Sequence, residues 1–136
     1  MLVVDASALA DLLLDLRRSE QVRRYIAEYR WEIHAPHLLD LEILSSLRRA
    51  VAAGKMSEGR AAAAVIDLLS FSVERYPHAI LGARIWQLKE NFTPYDAAYL
   101  ALAENLSDRG VPLLTTDARF ARAARRHTDV EVLLAA

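Results

Sequence analysis

Short apolar segments rich in β-branched residues alternate along this chain with longer segments of helical periodicity, and this alternation constrains the fold most. The first apolar segment ends with Val3 and Val4 and stops abruptly at Asp5, which is typical of a buried strand. The strands predicted in this way are residues 1–4, 31–35, 72–76, 111–115 and 130–134. Strands that alternate with helices indicate an α/β fold, with a short parallel sheet and helices on both faces.

Helical segments fill the intervals between the predicted strands. Ser57 and Asp117 stand where a side chain can cap a helix, and Gly54 and Gly110 follow helices as C-terminal signals. Pro77 stands in a first helical turn, where proline is tolerated. The predicted helices are residues 5–16, 19–29, 37–53, 57–69, 77–90 and 93–108, with a short arginine-rich helix after Asp117 and a strand stop at Pro36.

Composition limits the kind of protein further. A chain of 136 residues with 54% hydrophobic and 26% charged residues predicts one globular domain, residues 1–136. The absence of cysteine excludes disulfides, thiolate zinc sites and cysteine nucleophiles. We expect no signal peptide and no membrane span, and therefore a cytoplasmic protein. Because the net charge is −1, any surface for nucleic acid has to be local.

Four acidic residues form the candidate site. Asp5 and Asp117 come directly after predicted strands, and the carboxyl ends of parallel strands face the ligand crevice of an open sheet. Glu42 and Asp96 lie in helices whose other residues are mostly apolar, where a carboxylate is costly unless something compensates its charge. A divalent cation such as Mg²⁺ prefers oxygen ligands and compensates that charge well.

Each acid also has a structural interpretation. Asp5 and Asp117 can cap helices, and Asp96 can form a box-like helix start with Thr93. Glu42 can pair with Arg48 or Arg49, which follow it in the same predicted helix, or with a lysine elsewhere. As a set, the four acids favour cations held against a phosphodiester, because a metal activates water and inverts the local electrostatics.

Four ordered segments resemble the motifs of PIN domains. Asp5 lies in the first, VVDASAL; Glu42 lies in the second, from Pro36 to Arg49; Asp96 lies in the third, TPYDAAYLALA; Asp117 lies in the fourth, LLTTDARF. The segments follow the order of the family and span almost the whole chain, and their style is similar to VapC-type toxins of VapBC toxin–antitoxin systems. The second segment departs from many relatives, since Ser45 stands where they carry asparagine.

The resemblance implies a PIN-like fold and an endoribonuclease dependent on Mg²⁺ or Mn²⁺, with a metal-activated water as the nucleophile. It implies that Asp5 and Asp96 are the most direct metal ligands and that Glu42 and Asp117 complete the acidic cluster, partly through water. It also assigns Ser7 and Thr115 to small hydroxyl positions that support the acids. The partners it implies are an RNA substrate, a VapB-like antitoxin and a second copy of the chain.

Other residues are open to two interpretations. Arg119, Arg122 and Arg126 form a basic stripe that suits RNA phosphates, an acidic antitoxin tail or simply solvent. Tyr99 is expected to be a core or interface residue, as are Trp31 and Trp86. The four histidines lack zinc-site spacing and are expected to be structural or at the surface.

Two other functions compete with the nuclease. A phosphoaspartate receiver or a metal-dependent phosphatase would also use an acidic pocket, but a receiver needs a lysine after a late strand, and Lys55 and Lys89 do not follow one. A degenerate PIN-like scaffold without catalysis would be expected to lack one or more of the four acids, all of which are present.

Overall fold

The computed structural model describes all 136 residues, and its centre is a five-stranded parallel sheet. The strands are β1 (Leu2–Val4), β2 (Ile33–Pro36), β3 (Glu74–Tyr76), β4 (Leu113–Thr115) and β5 (Val132–Leu134). Their order across the sheet is β3-β2-β1-β4-β5, and every neighbouring pair is parallel. The predicted α/β fold with a short parallel sheet is therefore confirmed.

Seven α-helices connect and cover the strands. They are α1 (Ala6–Leu13), α2 (Ser19–Glu28), α3 (Leu38–Ala52), α4 (Glu58–Ser70), α5 (Gly82–Gln87), α6 (Pro94–Asn105) and α7 (Ala118–His127). All residues of β1 are at most 1% exposed. Because successive side chains of a strand point to opposite faces, this burial shows that the sheet is covered on both faces.

The order of the strands creates a switch point beside β1. The chain runs outwards from β1 to β2 and β3, and then returns to place β4 on the other side of β1. The register pairs Val3 with both His34 of β2 and Leu113 of β4. In open parallel sheets, the crevice at the carboxyl ends of the strands on either side of such a point is the usual binding site.

Two helix-end predictions agree with the structure. Gly54 follows α3 with φ +72°, in the left-handed region that favours glycine, and so terminates the helix. Ser57 caps α4, since its Oγ accepts a hydrogen bond of 3.1 Å from the backbone N–H of Arg60.

The predicted single helix of residues 77–90 is wrong. A short 3₁₀ helix (His78–Leu81) comes first, and α5 follows it. Pro77 has an extended backbone with ψ 146° and precedes the 3₁₀ helix rather than opening a helix itself. The side chain of His78 accepts a hydrogen bond of 2.9 Å from the backbone N–H of Leu38. This bond joins the first residue of the 3₁₀ helix to the first residue of α3.

Other boundaries also differ. Helix α6 ends at Asn105 instead of residue 108, because the chain turns back there: the N–H of Val111 donates to the carbonyl of Ala103 over 2.8 Å. Strand β2 begins at Ile33 instead of residue 31 because Trp31 has φ +60°, and it includes Pro36, which does not stop it. Helix α1 ends at Leu13 instead of residue 16, and β3, β4 and β5 are each shorter than predicted.

One cluster of 34 buried hydrophobic residues fills the space between the sheet and its helices. Helix α6 lies deepest, with every residue from Ala97 to Ala103 buried. None of the helices is long and apolar enough to cross a membrane.

Candidate active site

Asp5 lies at the switch point, directly after β1. It is 6% exposed, and its backbone N–H donates to the carbonyl of Leu114 in β4 over 3.1 Å. Its Oδ1 accepts hydrogen bonds from Ser7 Oγ (2.7 Å) and from the N–H of Ala8 (3.0 Å). Its Oδ2 accepts one from Thr115 Oγ1 (2.5 Å). The carboxyl group is thus fixed by donors from two elements.

The end of β4 is tied to the same carboxyl group. Thr115 is fully buried, and its Oγ1 also accepts from the N–H of Asp117 over 3.0 Å. Ser7 Oγ lies 3.2 Å from Thr115 Oγ1 and accepts from the N–H of Thr116 over 3.1 Å. Ser7 and Thr115 therefore both contact Asp5, as a supporting role requires, and that role remains a prediction.

Asp117 caps α7 at the same edge of the sheet. Its Oδ1 accepts from the N–H groups of Arg119 (3.0 Å) and Phe120 (3.1 Å), and the side chain is exposed. Asp5 likewise caps α1 through Ala8. The capping interpretation of both residues is correct, and it leaves the second carboxylate oxygen of Asp117 without a partner in the protein.

Glu42 and Asp96 approach from two helices. Glu42 is half-buried on α3, and its Oε1 accepts a hydrogen bond of 2.7 Å from the hydroxyl of Tyr99 on α6. No arginine or lysine lies within 4.0 Å of it, so the alternative interpretation, in which it pairs with Arg48, Arg49 or a lysine, is wrong. Asp96 stands in the first turn of α6; its N–H donates to Thr93 Oγ1 over 3.2 Å, but its carboxyl does not return the bond.

The pKa values of Asp5 and Asp96 are raised by burial and by the charges of neighbouring acids. Burial raises the pKa of Asp5 to about 6, opposed by its hydrogen bonds and slightly reinforced by Asp96. Burial also raises the pKa of Asp96 to about 6, and the charges of Glu42 and Asp117 add to this rise. Burial raises the pKa of Glu42, against the donation from Tyr99. Asp96 is therefore the acid whose pKa is raised by the charges of both Glu42 and Asp117.

The oxygen atoms of the four acids are suitable ligands for a hard cation, although they do not form a complete coordination shell. All four acids offer oxygen, which Mg²⁺ and Mn²⁺ prefer, and their mutual repulsion with burial leaves negative charge uncompensated. No group of three or more His, Cys, Asp or Glu side chains stands together as a ready ligand set. Mg²⁺ commonly binds through one or two carboxylates and keeps several waters, which suits such a loose set.

Tyr99 is the residue of this site that sequence reasoning missed. It is only 2% exposed, as expected of a core residue, but its hydroxyl bonds Glu42. Burial raises its pKa and the charge of Glu42 raises it further, so the phenol remains a donor. The signal available in the sequence was its position three residues after Asp96, which places both on one helix face.

Residues near the site but outside it have other partners. Asp40 forms an ion pair with Arg75 on β3, with Nε 2.8 Å from Oδ2. Ser45 is exposed and accepts a hydrogen bond of 2.9 Å from Arg49, and it forms no hydrogen bond with Glu42. His34 is buried against Tyr76, with 2.7 Å between Nδ1 and the hydroxyl.

The arginines after Asp117 point away from the core. Phe120, Ala121 and Ala124 form the buried face of α7, and at 100° per residue the stripe of Arg119, Arg122 and Arg126 is centred opposite to it. These three side chains are exposed, and none has a carboxylate within the 4.0 Å of an ion pair.

Comparison with known proteins gives consistent results. The PIN-domain family model matches residues 2–126. Ribonuclease VapC12 of Mycobacterium tuberculosis is 36% identical over 134 residues, covering 98% of this chain and 99% of that protein. Ribonuclease VapC1 of the same organism is 46% identical over 123 residues, 89% of each chain. The crystal structure of PAE2754 from Pyrobaculum aerophilum matches with a TM-score of 0.67 and 25% identity, covering 96% of this chain and 81% of that one.

Proposed function

The chain belongs to the PIN-domain family, and from that premise we propose that it is an endoribonuclease that depends on Mg²⁺ or Mn²⁺ and acts as the toxin of a type II toxin–antitoxin pair. Relatives of nearly the same length are named ribonuclease VapC, which supports this assignment. The observation that carries it is that Asp96 lies close enough to the other acids for charges to interact: the charges of Glu42 and Asp117 raise its pKa, and its own charge raises that of Asp5.

Asp5 and Asp96 would hold the cation most directly, and Glu42 and Asp117 would complete its surroundings. When bound, the cation activates a water molecule and neutralises charge on the phosphodiester. The protein's own part is to orient these oxygens: Ser7, Thr115 and the N–H of Ala8 fix the carboxyl group of Asp5.

A test of the activity uses RNA labelled at one end and the wild-type protein beside an Asp117→Asn variant. Internal fragments of defined length would support endonucleolytic cleavage, whereas release of single nucleotides from an end would contradict it. We expect Asp117→Asn to keep the fold, since asparagine also caps helices, and to cleave more slowly.

A catalytically inactive scaffold is the second candidate. The observation that favours it is the absence of three acidic side chains arranged as a ready ligand set. The presence of all four acids favours the nuclease. Folded wild-type protein that binds Mn²⁺ but leaves a broad panel of RNAs intact would support the scaffold.

We also propose three properties of the cellular setting: a VapB-like antitoxin as partner, a homodimer and a cytoplasmic location. Several large apolar side chains are exposed and are available for contacts with another protein. They include Leu41, Ile66, Leu69 and Trp86, each at least 66% exposed. Light scattering of the purified chain would test the dimer. Co-purification with the product of a neighbouring short open reading frame would test the antitoxin.

A further inference from the structure

Tyr99 and Asp96 belong to α6, and the side chain of Tyr99 reaches Glu42 on α3. Its hydroxyl donates to Oε1 of Glu42 over 2.7 Å, and this is the one side-chain hydrogen bond between α6 and α3. Glu42 has no basic residue within 4.0 Å, and no other protein donor bonds its carboxylate. The conformation of Glu42 is therefore fixed by a single polar contact, and Oε2 is left without a partner.

The aromatic ring alone would suffice for packing at this position. Tyr99 belongs to the hydrophobic core, and phenylalanine would fill the same space without a polar atom. A buried hydroxyl lowers stability unless it is bonded, and here its partner is one of the four acids of the candidate site. Packing of the core therefore requires only the aromatic ring, whereas the hydroxyl orients the carboxylate of Glu42.

The position of Tyr99 on α6 links the acids to one another. Asp96 and Tyr99 are three residues apart, so they lie on one face of the helix. The hydroxyl thereby ties Glu42 to the helix that carries Asp96. One side chain thus connects two of the four acids, Glu42 through its hydroxyl and Asp96 through their shared helix.

We propose that Tyr99 is a positioning residue: its hydroxyl occupies Oε1 of Glu42 and presents Oε2 to the divalent cation or to a water of its shell. This inference rests on the proposed function, since it requires a cation in the acidic site. Hydrogen bonds to the ligands of a metal orient those ligands, and losing one lowers metal affinity or activity by about 10- to 100-fold.

The test is Tyr99→Phe, with Mn²⁺ binding measured by calorimetry without RNA and with cleavage measured as a function of Mn²⁺ concentration. We expect about 10-fold weaker Mn²⁺ binding, and cleavage that recovers in part at high Mn²⁺. The matched control is Tyr76→Phe, which removes another phenol hydrogen bond of 2.7 Å, to His34, outside the acidic site. The control should bind Mn²⁺ like the wild type.

A second pair of variants tests whether Tyr99 acts through Glu42. In a Glu42→Gln background, Tyr99→Phe should weaken Mn²⁺ binding no further, because the oriented carboxylate is already lost. Equal Mn²⁺ affinities of wild type and Tyr99→Phe, or additive losses in the double variant, would overturn this inference and leave the nuclease proposal standing. No Mn²⁺ binding by wild type, together with no cleavage, would overturn both.

Discussion

At the residue scale, Asp5 combines burial with an unusually complete set of donors. Two hydroxyls and one backbone N–H reach its two oxygens, yet burial still raises its pKa to about 6. A carboxylate in this state is held rigidly but has only part of its charge compensated. Such a group is suited to a cation, because the cation supplies the missing positive charge without displacing the donors.

Thr115→Val tests the importance of this donor set. Valine keeps the shape of the side chain but removes the hydrogen bond to Oδ2 of Asp5 in a fully buried position. We expect the free energy of unfolding to fall by about 1 to 3 kcal/mol in urea denaturation. As a control, Ser70→Ala removes an exposed hydroxyl bonded to a helix carbonyl and should change stability by less than about 0.5 kcal/mol.

Asp96→Asn tests the accumulated charge of the site. The pKa of Asp96 is raised from its ordinary value of 3.8 to about 6 in the folded protein. Between these two pH values the folded state binds more protons than the unfolded state, so in EDTA the free energy of unfolding falls as the pH rises through this interval and is constant above it. The variant lacks this loss and should exceed the wild type at pH 7.5 by about 1 to 2 kcal/mol, after discount for the partial exposure of Asp96. Wild-type stability that rises relative to the variant across this interval would contradict the assignment.

The acidic residues and the hydroxyls of Ser7 and Thr115 that contact Asp5 were predictable at this scale, but the partner of Glu42 was not. Asp5 and Asp117 follow strands, and the placement of polar residues after apolar runs is visible in the sequence. The partner of Glu42 is Tyr99, 57 residues away, and tyrosine among alanines and leucines on α6 looks like any core residue. Only the three-dimensional structure, which brings the side chain of Tyr99 to Glu42, reveals the bond.

At the element scale, the turn between α3 and α4 depends on a left-handed residue. Gly54 has φ +72°, whereas Gly59 lies in the first turns of α4, and an added Cβ would have no atom within 4 Å at either position. Gly54→Ala should therefore lower stability by about 1 to 2 kcal/mol through backbone strain alone. Gly59→Ala, the matched control, should raise it by about 0.5 kcal/mol. Thermal unfolding of both variants would measure the difference.

Helix α7 is the element that suits the phosphate backbone of RNA. If Arg119, Arg122 and Arg126 each contact a phosphate, their replacement by glutamine should reduce the salt dependence of RNA binding, d log K/d log [salt], by about 2. The measurement uses the Asp96→Ala background, so that RNA is bound without being cut. Glutamine at Arg23 and Arg24 on α2 is the control. An unchanged slope would show that the stripe is solvated, and weakened binding of an acidic peptide alone would assign it to the antitoxin.

Helix boundaries were predictable where local chemistry sets them. The cap at Ser57 and the terminator at Gly54 act within a few residues, so the sequence contains their signals. The break between the 3₁₀ helix and α5 involves a contact of His78 with Leu38, 40 residues away, which no local pattern reports. The early end of α6 likewise comes with the return of the chain to β4.

At the scale of the whole molecule, the fold places the site. The strand order β3-β2-β1-β4-β5 puts β1 and β4 side by side, although more than a hundred residues separate Asp5 from Asp117. The alternation of strands and helices predicted a parallel sheet, but not the order of its strands. That order places β4 beside β1, so that Asp5 and Asp117 lie at the same edge of the sheet.

The most direct test of the central claim is RNA cleavage by purified wild type and Asp96→Ala, each with Mg²⁺, with Mn²⁺ and with EDTA, after circular dichroism has shown both to be folded. We predict internal cleavage by the wild type with either metal, none in EDTA, recovery when metal is added back, and at least about 100-fold slower cleavage by Asp96→Ala. Equal cleavage by the two proteins, or wild-type cleavage that persists in EDTA, would contradict a metal-dependent acidic site.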